Sequence, residues 1–276
     1  MKTIGVIGCG FVGKAVVFGF KDIYHIRIYD VDKNRATHSL KETCNSDVVF
    51  ICVPTPMRTN GEGTDLSILL DLFGKIKQEC NNETIYVLKS TVPIGTTKRL
   101  VRDYGLKIIH NPEFLTAKNA NLDFLTPSRI VIGGDRNWSE QIKKVYEDRF
   151  VGSNILLMSS DESEAVKYIA NCFLATKVLF FNEVNLGLKQ YNLDWNMVIK
   201  GVLTDGRISY SHTQVPGPDG QYGFSGTCFP KDLCSLIEQI ELTGFEPLLL
   251  KACWKQNLFI REDKDWETNP SAVTQK

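Results

Sequence analysis

The sequence predicts an α/β fold, a doubly wound parallel sheet followed by a smaller all-helical domain. Three observations carry this expectation. Short β-branched runs alternate with helical patterns from the first residues, and strand–helix–strand order favours parallel pairing. The strands are continuously apolar rather than alternating, as expected when helices cover both faces of a sheet. After about residue 157 the strands give way to one long helical period.

Taken in order, Thr3–Ile7 reads as a strand and Lys14–Phe20 as a helix. Ile26–Tyr29, Val48–Val53, Ile85–Lys89, Lys107–Ile109 and Ile130–Ile132 read as further strands. Asp161–Gln190 reads as a single helix, because Val166, Ile169, Ala170, Phe173, Leu174, Val178, Phe181, Val184 and Leu188 recur at helical spacing. Ser159 with Glu162 three residues later fits a capping box at its start. A loop rich in Gly and Pro spans Val215–Gly220, and a second helix opens at Pro230 with Leu233, Leu236, Ile237 and Ile240 on its apolar face. The division expected is 1–157 for the sheet domain, 158–255 for the helical domain and 256–276 for a polar tail, its last ten or so residues frayed.

Composition narrows the function classes. The chain of 276 residues is 43% hydrophobic and 23% charged, an ordinary globular balance. Its 32 basic and 32 acidic side chains are mixed along the chain, which argues against a nucleic-acid or anionic-membrane partner. No apolar run approaches the roughly 20 residues needed to span a bilayer. The opening MKTIGVIGCG is too short and glycine-rich for a signal peptide. The eight cysteines include no CxxC spacing, so no metal site and no disulfide framework is expected. Scattered cysteines without a leader point to a reducing, cytoplasmic location.

The segment Gly8-Cys9-Gly10-Phe11-Val12-Gly13 matches GxGxxG, follows a strand and opens a helix, the context a Rossmann-like dinucleotide site requires. The first two glycines permit a tight turn and close approach of backbone N–H groups to a pyrophosphate, with the helix N-terminus facing the phosphates. Asp30 ends the next strand, where a carboxylate accepts ribose hydroxyls and repels a 2′-phosphate; this favours NAD. Arg27, Lys33 and Arg35 nearby keep NADP open, and a nucleotide-free glycine turn is the bland alternative. Two loops at strand ends, one with Val53 and Thr55 and one with Thr91, are cofactor or substrate contacts or simple turns.

The segment from Gly223 to Asp232 (GFSGTCFPKD) holds the best nucleophile candidate. Pro230 in the first turn of a helix sets Cys228 just before its N-terminus, where helix N–H groups and Lys231 favour the thiolate. A thiolate attacks an aldehyde carbon, and Asp232 can order a water or act as a base. The competing reading is a small buried hydrophobe. Lys167 and Asn171 share one helix face, either stabilising an alkoxide or solvated. Glu113, in Asn111-Pro112-Glu113-Phe114-Leu115, is a general acid/base or a capping acid.

Together, GCGFVG, CVPTP, STVPIGT, NPEFL, PSRIVIG, the KYIAN helix, DGRI and GFSGTCFPKD resemble the UDP-glucose/GDP-mannose dehydrogenase family in order and spacing over about residues 1–250. The resemblance implies a two-step NAD-dependent oxidation of a nucleotide-sugar primary alcohol, UDP-glucose or similar, through a thiohemiacetal and thioester on Cys228. It implies that Lys167 and Asn171 stabilise negative oxygen, that Thr91 and Asp232 position water, and that Glu113 assists hydrolysis. Gly8, Gly10, Phe11, Val12, Gly13, Asp30, Arg35, Val53, Thr55, Thr91 and Lys231 would bind cofactor. Glu113, Phe114, Leu115, Lys167, Asn171, Arg207, Phe224 and Gly226 would bind substrate. Independently of the resemblance, a homodimer through the long helix is expected, because its apolar side exceeds what a small second domain can cover. The sequence departs from the family pattern in several places. Ala117 stands where a second acid is usual and Ser225 where a glycine is. The connection near His38–Asn45 is short, and no segment of a further C-terminal UDP-binding α/β domain is visible. A weak hold on UDP, a different sugar or a completing partner is the expected consequence.

Overall fold

The computed structural model describes residues 3–59, 61, 63–80, 83–116 and 118–275; Ala117, at the expected second acid, lies outside them. The chain divides into two compact units, one of Met1–Thr55 and Thr64–Lys167, the other of Pro56–Gly63 and Tyr168–Lys276. The division falls ten residues later than the sequence predicts. The reason is that the first turns of the long helix bond to the sheet unit.

In the first unit, strands β1 (Thr3–Ile7), β2 (His25–Tyr29), β3 (Val48–Ile51), β4 (Ile85–Leu88), β5 (Lys107–His110), β6 (Ile130–Gly133) and β7 (Ile155–Met158) form one sheet in the order 2-1-3-4-5-6-7. β1 to β5 are parallel, as expected. The β5–β6 pairing at His110 and Gly133 is antiparallel, a departure from the all-parallel sheet. The sequence reading also omits β7, a four-residue edge strand without full burial on either side.

The strands alternate their side chains between two buried layers, as the two-residue period of a strand demands. Ile4, Val6, Val48, Phe50, Val87, Ile109 and Ile132 pack under α1 (Phe11–Phe20), α5 (Ala120–Leu125) and α6 (Arg136–Glu147). Ile7, Val49, Ile51, Tyr86, Leu88 and Ile108 pack under α2 (Leu40–Cys44), α3 (Ser67–Glu79) and α4 (Thr96–Tyr104). The short connection near His38–Asn45 is the five-residue α2. It is held by a capping box in which Glu42 N–H donates to Ser39 Oγ and Ser39 N–H to the Glu42 carboxylate.

Helix α7 (Ser160–Gly187) starts with the expected box: Ser159 N–H donates to Glu162 Oε2 at 2.7 Å, and Glu162 N–H returns to Ser159 Oγ. The second unit holds the C-terminal part of α7, α8 (Trp195–Val202), α9 (Phe229–Glu241) and α10 (Leu248–Ile260). Its core joins Tyr168, Cys172, Ala175 and Leu179 to Phe224, Leu233, Leu236 and Cys253. Among the described residues no helix is long and apolar enough to cross a membrane.

The frayed tail is not what the structure has. Residues 256–260 complete α10, and Trp266 is 1% exposed against Met57, Cys234, Ala272 and Val273. Met57 and Val273 form a parallel bridge, with Met57 N–H donating to the Ala272 carbonyl at 2.7 Å. The average polarity of the tail conceals three apolar anchors, and a few buried side chains suffice to order a terminus. Trp266→Ala is expected to lower the stability of the second unit by about 3–5 kcal/mol, read as a lower urea midpoint. A midpoint within error of the parent would show that the tail does not pack there.

Candidate active site

The first unit builds a nucleotide cradle where strand order reverses beside β1, at the carboxyl ends of β1 and β3. Gly8 adopts φ +88°, and a Cβ there would meet the Cys52 carbonyl at 2.8 Å. A Cβ on Gly13 would lie 2.0 Å from the Gly8 carbonyl oxygen, so the third glycine is needed for helix to pack on turn. A Cβ on Gly10 would meet nothing within 4 Å; the space over this turn is open. The helix starts at Phe11, three residues before the predicted start, and Gly10 caps it without a side-chain acceptor. Its first N–H groups are therefore disposed for an anion.

Asp30 closes the cradle. Its carboxylate accepts Cys9 N–H at 2.6 Å and Asp32 N–H at 2.9 Å. Arg27 is engaged with the carbonyls of Glu42 and Asn45, and Arg35 with Asp32 at 3.2 Å, so two of the three cations that kept a 2′-phosphate open have other partners. Open space over Gly10, a helix end without a side-chain cap and a strand-end carboxylate fit a dinucleotide without a 2′-phosphate.

The loops after β3 and β4 are tied together. Thr55 Oγ1 donates to the Thr91 carbonyl at 2.6 Å, and Ser90 Oγ to the Val53 carbonyl at 2.6 Å. The first turns of α7 hold the next loops. His110 Nδ1 and Ser163 Oγ lie 2.8 Å apart. The carboxylate of Glu164, fully buried, accepts Gly95 N–H at 2.6 Å and Thr97 N–H at 2.8 Å. Burial pushes the Glu164 carboxyl up to about 7 against those two bonds.

Lys167 is 3% exposed, which excludes the solvated helix face. Its ammonium donates to the Glu113 carbonyl at 2.6 Å and to Glu113 Oε1 at 2.9 Å, while Leu115 N–H donates to Glu113 Oε2 at 2.7 Å. Burial alone would raise the Glu113 carboxyl, but Lys167, the Leu115 amide and Lys89 hold it below the ordinary carboxylate range. The Phe114 ring faces the Arg129 guanidinium at 4.1 Å and the Lys167 ammonium at 5.6 Å.

Sequence reasoning passed over a buried polar cluster behind this loop. Lys89 donates to the side chain and carbonyl of Asn111, Tyr146 OH donates to Asn111 Oδ1 at 2.5 Å, and Asn111 Nδ2 donates to the Val131 carbonyl. Burial brings the Lys89 ammonium down to about 8. A lysine directly after the apolar run Ile85–Leu88 was the available signal.

In the second unit, Cys228 is the N-cap residue of α9, half-buried, with Thr227 Oγ1 at 3.8 Å from its sulfur. Asp232, one turn later, is 1% exposed; it accepts Asn171 Nδ2 at 2.6 Å and pairs with Lys231. Arg207 is exposed and forks onto Asp205. Phe224, expected at the substrate, has its ring in the helical core between Phe229 and Trp254. Ser225 carries no left-handed backbone. The positive φ angles fall on the flanking Gly223 and Gly226, so the glycine-to-serine departure costs no strain of that kind.

The family model for the UDP-glucose/GDP-mannose dehydrogenase family, NAD binding domain, matches residues 33–150, and that for its central domain matches residues 161–258. The Gly8–Gly13 turn precedes the first match and stands on its own geometry. A UDP-glucose 6-dehydrogenase of Rickettsia conorii is 36% identical over 78% of this chain and 50% of its own length. One of Campylobacter jejuni is 30% identical over 86% of this chain and 67% of its own. The structure of a UDP-glucose dehydrogenase from Pyrobaculum islandicum superposes with a TM-score of 0.84 at 31% identity, covering 94% of this chain and 68% of that one. The chain spans about half the length of the first curated relatives it matches.

Lys167→Met strips Glu113 of its nearest cation, and breaking a buried pair in this way costs about 3–5 kcal/mol at pH 7. In the parent the depressed Glu113 contributes stability above the ordinary carboxylate range and loses it as pH falls through the folded value. In the variant the carboxyl shifts upward instead, so the deficit should shrink as pH falls from 7 to 5. Urea midpoints at both pH values measure this, and an equal deficit at each would refute the buried pair.

Proposed function

The chain belongs to the UDP-glucose/GDP-mannose dehydrogenase family, and from that premise we propose that it oxidises a nucleotide-sugar primary alcohol to the uronic acid in two NAD-dependent steps. UDP-glucose or a close relative is the substrate class. The observation that carries the reading is Cys228 at the mouth of α9 with the buried Asp232–Asn171 pair one turn behind it.

NAD, when bound, supplies the hydride acceptor for both steps. The backbone of Gly8, Gly10, Phe11, Val12 and Gly13 would cradle its phosphates and Asp30 would take the ribose hydroxyls, while Arg35, Val53, Thr55, Thr91 and Lys231 would complete its contacts. The substrate alcohol first loses a hydride and a proton to become an aldehyde, with Lys167 and Asn171 stabilising the developing oxyanion. The Cys228 thiolate adds to the aldehyde carbon, giving a thiohemiacetal. A second hydride leaves that carbon and the adduct becomes a thioester. Water, ordered by Thr91 and Asp232 and deprotonated with help from Glu113, displaces the thiolate and releases the carboxylate. The balance is one alcohol, two oxidised cofactors and one water to one carboxylate, two reduced cofactors and three protons. Leu115, Gly226 and Arg207 are assigned to substrate, together with Phe114 in its cationic setting.

We assign a homodimer to the exposed stripe Ile169, Phe173 and Phe180 on α7, each more than 60% exposed and spaced along one face. The scattered cysteines support a reducing compartment, the cytoplasm.

Incubation with NAD and a panel of nucleotide sugars should release two NADH per acid formed. Cys228→Ser should lower acid formation by roughly a thousandfold or more. Full turnover by Cys228→Ser would select a one-step dehydrogenase, and silence across the panel despite NAD binding would leave an NAD-binding protein without catalysis. In sedimentation, Phe173→Glu should shift the parent dimer to monomer; a parent that already runs as monomer removes the dimer.

A further inference from the structure

The loop that delivers Cys228 to α9 has little conformational preference of its own. Gly220, Gly223 and Gly226 all take positive φ, and glycine loses more conformational freedom on ordering than any other residue. What orders the loop comes from α10 and the segment after it. Asn257, fully buried, accepts Phe224 N–H on Oδ1 at 2.8 Å and donates Nδ2–H to the Phe224 carbonyl at 3.1 Å, pairing with the backbone as a neighbouring strand would. Arg261, 4% exposed, donates to Asp219 Oδ2 at 2.6 Å and to the carbonyls of Asp263 at 2.8 Å and Tyr222 at 3.4 Å. Asp265 accepts Gly226 N–H with both carboxylate oxygens, at 3.0 and 3.2 Å. The far end is anchored: Trp266 is buried, and Thr274 N–H donates to the Met57 carbonyl at 2.8 Å.

We propose that Asn257, Arg261 and Asp265 form a strap of positioning residues that holds the Tyr222–Gly226 backbone and thereby sets where the Cys228 sulfur stands for reaction. The inference rests on reading Cys228 as the nucleophile. None of the three touches the sulfur; each acts through the backbone that carries it. Gly226 is two residues from Cys228, so a slack Gly226 amide passes directly to the sulfur, and an error near 1 Å in a reacting atom costs up to about 10²-fold in rate. Asp265 is the sharpest point of attack because it is exposed, lies outside the helical core and has one task toward the loop.

The test compares Asp265→Ala with Asp265→Asn in the full chain. Asparagine keeps an acceptor oxygen for Gly226 N–H and alanine does not. The first readout is the pH profile of Cys228 alkylation by iodoacetamide, followed by peptide mass mapping with Cys228→Ser as the blank. The second is the split of kcat from the KM for NAD, and the third is the thermal midpoint. Asp265→Ala should change the Cys228 alkylation rate at least about fivefold and lower kcat about tenfold, with the KM for NAD and the midpoint held. Asp265→Asn should stay within about twofold of the parent on both rates, as retention of the acceptor requires. Parental alkylation and kcat in Asp265→Ala would overturn the strap. Equal losses in both variants would overturn it too, because charge rather than the hydrogen bond would then be the cause. If the parent turns over no nucleotide sugar, the functional reading fails, while the alkylation profile still decides the strap.

Discussion

A charged carboxylate and a charged ammonium do not survive separately inside a protein. Each costs several kcal/mol to remove from water, and only good geometry with further hydrogen bonds returns it. Glu113 and Lys167 meet that demand. Lys167 bonds both the carboxylate and the carbonyl of Glu113, and the Leu115 amide takes the remaining oxygen. The consequence is mechanical as well as electrostatic. The loop after β5 can lie only where the second turn of α7 allows, and Ser163 and Glu164 in the same stretch fasten His110 and the start of α4. Three residues of one helix thus register the carboxyl ends of two strands, the part of a parallel sheet where ligands bind.

The cradle beside β1 shows how packing selects chemistry. Gly13 is required because the helix must sit against the Gly8 carbonyl, while Gly10 leaves open space that nothing in the protein fills. The same turn uses one glycine for contact and another for vacancy. Asp30 holds the turn through Cys9 N–H and presents a carboxylate at the strand end, and Arg27 and Arg35 are drawn to other partners. A carboxylate at the strand end disfavours a 2′-phosphate by like-charge repulsion.

The helical unit solves a different problem. Its nucleophile candidate follows a glycine-rich loop, and such a backbone gains shape only from groups outside it. Asn257 pairs with the loop as a strand would, Arg261 gathers three acceptors, and the buried Trp266 fixes the segment from which Asp265 reaches in. A side-chain amide in place of a strand satisfies both backbone groups of Phe224 without adding a sheet to an otherwise helical core.

The sequence by itself determined what short-range physics encodes. Apolar continuity placed β1 and β3 to β6 within a few residues, because both-sided burial leaves no polar alternation, and the edge strand β2 was readable from its β-branched residues. The Ser159–Glu162 box was readable, because both its bonds close within one helical turn. The glycine turn, Asp30 and the position of Cys228 before Pro230 were readable for the same reason. Tertiary structure decided the rest. It buried Lys89, Asn111, Glu164 and Lys167 beside partners up to 69 residues away, separations that no local pattern specifies. It sent the Phe224 ring into the core, turned β6 against β5, and folded the polar C-terminal stretch onto Met57. Periodicity reports whether a residue can be buried. Which group meets it there depends on the three-dimensional path of the chain.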